Sequence, residues 1–459
     1  MIGEMDPLQL LRYYRGAVEE SGSPSITHMM GRPVMLVARP EHVKDVVGRL
    51  KEKTNSSRRI VGPMIGQESI ILRMHSRWGP LRRSLAQVFT LTSMRGYFGV
   101  FVDSTRDFVA RIEEHNSKRK RHFEEAHNKG LRTLPTTLLE PLDVDGCSMD
   151  LALDVVTRAL FSRDLAIQRG NAKDFSVRLA SVTDTFFKAV LNPVFWLVHP
   201  FQYFAFKRNL RWFQSLLRGW IQERQAVDPT GSGIKDLLGL MLGVSDPETG
   251  NPLTTEEILA QAFTFYFAGH DTSAHTIAWA LYEIAQHPEV EAKLYEELVE
   301  VMGDKDTPTF EEASKLTYLQ WVIKETLRLH APAGSFSRET TEETEVAGVL
   351  LPAHTTVTIS VLAAHGSEIT WPEPWRFRPE RFSEKESAGR DPYAWIPFSM
   401  GEKNCIGMNF ALLEIRTVVA ILCKRYRVAP SVDLLPHTAT KITNAPVDGI
   451  YVHFLPRKQ

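Results

Sequence analysis

A mainly α-helical chain with a small β region is predicted by three features of the sequence. Helical periodicity of apolar residues runs through most of its length. One largely apolar stretch, from Thr254 to Pro288, is long enough for a helix of roughly 50 Å that would cross the whole molecule. Strand-like alternation is confined to a segment near the start and another after residue 345, so the two ends of the chain would build one sheet region.

In chain order, Pro33-Val-Met-Leu-Val-Ala38 reads as a strand and Pro40 to Val47 as a helix. The run Lys118-Arg-Lys-Arg121, inside the polar segment Glu113 to Gly130, reads as a solvated loop. Phe186 to Phe206 is rich in aromatic residues and fits either a helix–loop packed on the core or a surface that meets a membrane. Thr254-Thr-Glu-Glu257 is a capping-box signal for the long helix, whose apolar residues (Ile258, Phe263, Phe265, Phe267, Ile277, Trp279, Leu281) wrap most of the way round. Val346 to Pro352 reads as a hairpin and Thr355 to Ser360 as a strand.

The 459 residues carry a formal net charge of −1, with 43% hydrophobic and 24% charged residues. Such a balance gives no electrostatic reason to bind nucleic acid and ample material for a core. There is no linker-like composition, so a single domain over 1–459 is expected. Three cysteines, Cys147, Cys405 and Cys423, make neither a disulfide framework nor a zinc pair. No apolar run of about 18 residues is present. The opening Ile2 to Pro7 reads as a point some way into a longer relative, so an N-terminal anchor is expected to be absent from this chain.

The chemistry concentrates in Phe398-Ser-Met-Gly401-Glu-Lys403-Asn-Cys405-Ile-Gly407, a lone cysteine in a glycine-flanked loop ahead of the apolar helix from Met408. Unpaired N–H groups and the helix dipole are expected to lower the Cys405 pKa, and the glycines to let a flat partner approach. A sulfur so placed is a ligand for iron, although an inert cysteine in a turn is the structural alternative. Ala268-Gly269-His270-Asp271-Thr272 opens space in the middle of the long helix, and the Thr272 hydroxyl can turn back to a carbonyl one turn earlier. Glu325 and Arg328 share one helix face among apolar neighbours, which suggests a buried pair.

Together these segments resemble the cytochrome P450 family of the eukaryotic microsomal kind, with no individual member identified. The cysteine loop matches its haem-binding pattern at every fixed position but one, Lys403 standing where arginine is usual. The resemblance covers Pro33 to Arg457 and implies a P450 fold with haem b (iron protoporphyrin IX) between the long helix and the cysteine loop. It implies Cys405 as axial iron ligand, with Phe398, Gly401, Lys403, Gly407, Ala268 and Gly269 around the haem and Trp78, Arg82 and Arg338 at its propionates. Thr272 would hydrogen-bond dioxygen and Asp271 would relay protons. Glu325, Arg328 and Arg381 would form a structural triad, while Phe263, Phe267, Ala333 and Phe336 would line a lipophilic substrate pocket. His365-Gly-Ser-Glu368 departs from the family pattern and leaves the turn before Trp371 undetermined.

The implied activity is a monooxygenase that inserts one atom of O2 into a lipophilic small molecule, with electrons from NADPH through a separate reductase. That partner would dock on the cysteine side near Arg82, Arg83 and Lys403. The expected location is the cytoplasmic face of the endoplasmic reticulum membrane, through peripheral contact. Two other readings stay open: a reductase-independent peroxide isomerase or dehydratase, against which the Asp271–Thr272 pair argues, and a haem-binding sensor without turnover.

Overall fold

A computed structural model describes residues 22–29, 32–128, 140–192, 194–229, 233, 236–245, 250–431, 436, 438–440 and 443–457; Ile2 to Pro7 lies outside them. Helices dominate: α1 (Pro40–Arg49), α2 (Asn55–Ile65), α3 (His75–Leu85), α4 (Leu91–Asn128), α5 (Val144–Phe161), α6 (Lys173–Leu191), α7 (Pro200–Val227), α8 (Thr255–Gln286), α9 (Pro288–Met302), α10 (Thr317–Leu329) and α11 (Met408–Arg425).

The long helix forms as its sequence signals. Thr254 Oγ1 accepts from the Glu257 N–H, and the Glu257 carboxylate accepts from the Thr254 N–H, which completes a capping box. The helix ends at Gln286, just before His287-Pro288, because a residue ahead of proline is pushed out of helical geometry. Between Ile258 and Ala285 every residue is buried except Ala268, Gly269, Thr272 and Tyr282. A core helix whose surface opens at three positions in its middle is lining something. Gly269 also lets α5 approach closely, since a Cβ there would meet Val156 Cγ2 at 3.0 Å.

The sheet joins both ends of the chain. β1 (Ser25–Met29), β2 (Arg32–Val37), β3 (Ser335–Glu339) and β4 (Thr356–Ser360) lie in the order β1-β2-β4-β3. β2 runs parallel to β4, with Val34 opposite Thr356 and Val37 opposite Ile359, and the other pairs are antiparallel. The expected hairpin pairs Thr344–Val346 with Val349–Leu351 through Ala347 and Gly348, both at positive φ (50° and 76°), as a tight two-residue turn requires.

One expectation is corrected. Lys118 to Arg121 is not a loop but the exposed C-terminal part of α4, where Lys118 pairs with Glu114 and Lys120 with Glu124 at helical spacing.

The triad is buried and complete. Arg328 donates to Glu325 at 2.7 and 2.8 Å and Arg381 Nε donates to Glu325 at 3.1 Å. The Arg378 N–H adds a bond at 3.0 Å. Arg328 also reaches the His365 carbonyl at 2.9 Å, and His365 Nε2 accepts the Ile396 N–H at 2.9 Å. The turn left undetermined by the sequence is therefore ordered by His365 itself, and closes where the Trp371 N–H meets the Ser367 carbonyl at 2.8 Å.

Glu414 of α11 is fully buried and faces Ser273 of α8. Burial pushes its carboxyl up to about 8, although the nearby Ser273 hydroxyl pulls the other way. The folded state thus holds this proton more tightly than an unfolded chain, where the group titrates near about 4.3. Its effect on stability is most favourable below that unfolded value and fades as pH rises toward the folded one. Glu414→Gln should therefore raise the denaturant midpoint, relative to the wild type, more at about pH 8 than at about pH 5. Equal shifts at both pH values would show that Glu414 does not titrate in this window.

Candidate active site

The cysteine loop is a tight turn. The Cys405 N–H donates to the Phe398 carbonyl at 2.8 Å and the Asn404 N–H to the Gly401 carbonyl at 3.2 Å. Ser399 at φ 60° and Gly401 at φ 74° bend the chain through the left-handed region. Gly407 then caps α11, so Cys405 stands two residues ahead of a helix N-terminus.

Cys405 faces an apolar cavity of about 310 Å³ that lies between this loop and α8. From α8 come Phe265, Ala268, Gly269, Thr272, Ser273 and Thr276, a single helical stripe. The opposite wall carries Phe398, Lys403, Cys405 and Gly407, and the rim carries Trp78, Arg82, Ala333 and Phe336. The Thr272 hydroxyl donates to the Ala268 carbonyl at 2.9 Å, as its sequence position suggested.

At one edge of the cavity positive charge accumulates. Arg82 donates to the Asn404 carbonyl and side-chain oxygen, both at 2.8 Å, with its guanidinium 5.9 Å from the Trp78 ring centre. Lys403 Nζ is buried with no hydrogen-bond partner and sits 4.9 Å over Trp78. Burial, helped by the Arg338 charge, pushes Lys403 down to about 8 even though Glu52 and Glu402 pull it up. Arg338 is 2% exposed, and burial lowers it to about 10. Lys53, a cavity-lining residue, is brought down to about 7 by burial and by the charges of Arg338 and Lys403. Buried cations without compensation are costly, so a carboxylate-bearing group belongs at this edge.

Haem b fits that demand: an apolar macrocycle for the cavity, two propionates for the cationic edge and an iron for the sulfur. Cys405 would hold the iron, and Lys403, Lys53, Arg338 and Arg82 would face the carboxylates.

Several expectations need correction. The Cys405 thiol is raised, not lowered: burial dominates over the Gly407 N–H and the Arg82 charge. Gly401 does not line the cavity; it serves the turn, and a Cβ there would meet Val47 at 3.4 Å. Gly407 does line it. Arg338 does not itself line the cavity, but its charge reaches Lys53 and Lys403 at the cationic edge, with its guanidinium 5.4 Å from the Phe336 ring. Phe263 and Phe267 point away from the cavity. Phe263 packs edge-on against Phe213 of α7 with ring centres 5.4 Å apart. Asp271 does not line the cavity either, and its Oδ1 lies 2.8 Å from His270 Nε2. Arg82 and Lys403 turn inward, so they do not form the surface cluster expected for a docking partner.

Phe265 and Lys53 are among the lining residues that the sequence did not assign to the site. Phe265, stacked on Phe89 at 5.8 Å, follows from the helical phase of Ala268 and Thr272, three and seven positions away. Lys53 lies in a charged run that reads as solvated, and no local signal marks it.

Fold and site together define a haem protein whose iron is held by a cysteine. The family model described as Cytochrome P450 matches residues 9–451, and the chain belongs to that family. Cytochrome P450 4V2 of Mus musculus is 31% identical over 445 residues, 91% of this chain and 79% of its own. Cytochrome P450 4F12 of Homo sapiens is 27% identical over 420 residues, 87% of this chain and 76% of its own. The crystal structure of the cytochrome P450DA heme domain superposes with a TM-score of 0.84 at 22% identity, over 99% of this chain and 94% of that one, a likeness of fold. The protein is a haem-dependent monooxygenase.

Removing one charge-assisted bond to a propionate costs about 1.5–3 kcal/mol, or about tenfold or more in affinity. Lys403→Met and Lys53→Met should therefore release haem to apomyoglobin about tenfold faster than wild type, whereas Lys403→Arg should hold it at least as firmly. Unchanged release in both methionine variants would remove these lysines from the propionate site.

Proposed function

We propose that the chain inserts one oxygen atom of O2 into a lipophilic small molecule, with electrons from NADPH delivered by a separate reductase. The observation that carries this reading is the apolar cavity walled by Cys405 on one side and the small-residue stripe of α8 on the other. When bound, haem supplies dioxygen binding and electron transfer. The chain's own residues exclude water, orient an apolar substrate and handle protons.

Ile70, Ile71, Phe265 and Phe336 give the lining its lipophilic character. Thr272 spends its hydroxyl proton on the Ala268 carbonyl, which leaves its oxygen lone pairs to hold a proton donor such as water at the cavity wall. Asp271, the neighbouring acid, relays protons toward that point. No glycine-rich dinucleotide loop is present in the sequence, which favours an external electron donor.

No helix among the described residues is long and apolar enough to cross a membrane. Peripheral contact is supported by the segment before and within the start of α7, where Leu197 is 83% and Phe201 87% exposed beside Val198 and Phe204. Such a surface suits a chain working at the cytoplasmic face of the endoplasmic reticulum membrane.

Substrate is identified by screening lipophilic compounds for the optical spin-state change that follows displacement of water from iron. With a compound so found, isotope-labelled dioxygen should appear in the product only when NADPH and reductase are present. Product from a lipid hydroperoxide without them would favour the isomerase reading. Cys405→Ala should abolish the red-shifted absorption of the ferrous–CO complex, and survival of that band would remove Cys405 as the axial ligand. Thr272→Ala should raise peroxide released per NADPH several-fold at the expense of product. Unchanged coupling would reduce Thr272 to a helix residue.

A further inference from the structure

We propose that His270 is a positioning residue for the oxygen reaction, holding a proton against Asp271 as a one-proton reserve behind the relay. The inference rests on the proposed role of Asp271 and extends it to a residue that no motif assigns.

The geometry of the ring carries it. Nδ1 of His270 lies 2.8 Å from the Tyr266 carbonyl one turn earlier, and a carbonyl only accepts, so this nitrogen bears a hydrogen. Nε2 lies 2.8 Å from Asp271 Oδ1, and a ring nitrogen and a carboxylate oxygen that close also need a proton between them. Both ring nitrogens face acceptors, so the pair holds one proton more than a neutral imidazole beside a carboxylate. His365 shows the opposite pattern in the same molecule. Its Nδ1 meets the Arg328 carbonyl at 3.1 Å while its Nε2 accepts the Ile396 N–H at 2.9 Å, which is a neutral ring. Accordingly His365 is lowered to about 3 by burial and the Arg328 charge. At His270 burial likewise disfavours the imidazolium, but the Asp271 charge and the two hydrogen bonds outweigh it and raise the ring above its ordinary value.

His270 is 3% exposed, whereas the Asp271 side chain is 11% exposed, and Thr272 on the cavity wall is the next residue. The reserve proton therefore leaves through Asp271. As the relay draws a proton, the His270 Nε2–H bond breaks and an Asp271 O–H bond forms, and that O–H bond breaks in turn as the proton passes on toward Thr272. His270 remains neutral with its Nδ1–H on Tyr266, and a proton from water later restores the pair. No electrons move in this step.

The test uses the haem-loaded protein with ¹³C-labelled histidine rings, read as the diamagnetic ferrous–CO complex. The His270 resonance, identified by its loss in His270→Gln or, if that variant takes up no haem, in His270→Asn, should report a doubly protonated ring near neutral pH. In Asp271→Asn it should report a neutral ring. Reconstituted with NADPH and a microsomal reductase, with no substrate added, Asp271→Asn and His270→Gln should each slow NADPH consumption several-fold and enlarge the solvent deuterium isotope effect. The double variant should be no slower than Asp271→Asn alone. A neutral His270 in the wild type overturns the reserve. So does a wild-type isotope effect in His270→Gln beside an altered one in Asp271→Asn, which leaves the relay standing. A wild-type isotope effect in Asp271→Asn overturns relay and reserve together.

Discussion

The Glu325 carboxylate has no exposed surface, yet it accepts from two arginine side chains and one backbone N–H. A buried ion network of this kind adds little net stability over apolar packing, but losing one partner costs about 3–5 kcal/mol because the remaining charges stay buried. Its value is positional. Arg328 fixes the carbonyl of His365, His365 fixes the N–H of Ile396, and the next residues are the start of the cysteine loop. Through two hydrogen-bonded steps, a residue pair on α10 is linked to the start of the loop that holds the Cys405 sulfur. A cysteine held by such a frame need not be activated in advance, which agrees with a thiol that desolvation raises above its ordinary value.

The cationic edge works by the opposite logic. The triad is saturated with partners; Lys403 is left without one, and Lys53 and Arg338 crowd the same edge. Crowding of like charges in a poorly solvated place raises the free energy of the protein without its cofactor, and a dianionic cofactor relieves it. Lysine at position 403 also accounts for the cluster's composition. It offers a point charge where arginine would offer a planar fork, and Lys53 adds a second point charge from the start of the chain.

Much of this was legible in the sequence because it is local. The capping box at Thr254, the strand at Val34 and the hairpin at Ala347–Gly348 are set by residues a few positions apart. The cysteine loop and the triad were legible as ordered patterns of a known family, since their spacing carries their geometry. What was not legible depends on packing between distant segments. Lys53 looks like a surface lysine until β3, bearing Arg338, and the cysteine loop, bearing Lys403, close over it. The polar run Lys118–Arg121 looks like a loop because its four residues carry no apolar periodicity, and it is helical as the continuation of α4.

The assignment of Phe263 and Phe267 to the pocket failed for a reason that bears on the chemistry. At about 100° per residue, a helix that turns Phe265, Ala268 and Thr272 toward a cavity must turn Phe263 and Phe267 elsewhere. The same rotation carries His270 and Asp271 off the wall, so the acid of the motif cannot share a face with the hydroxyl it serves. An acid held beside the cavity rather than in it is still buried, but it has the His270 ring as a partner at 2.8 Å and can be supplied with protons from behind. Helical geometry thus separates the residue proposed to meet dioxygen from the residues proposed to store the proton, and that separation lets the cavity itself stay apolar.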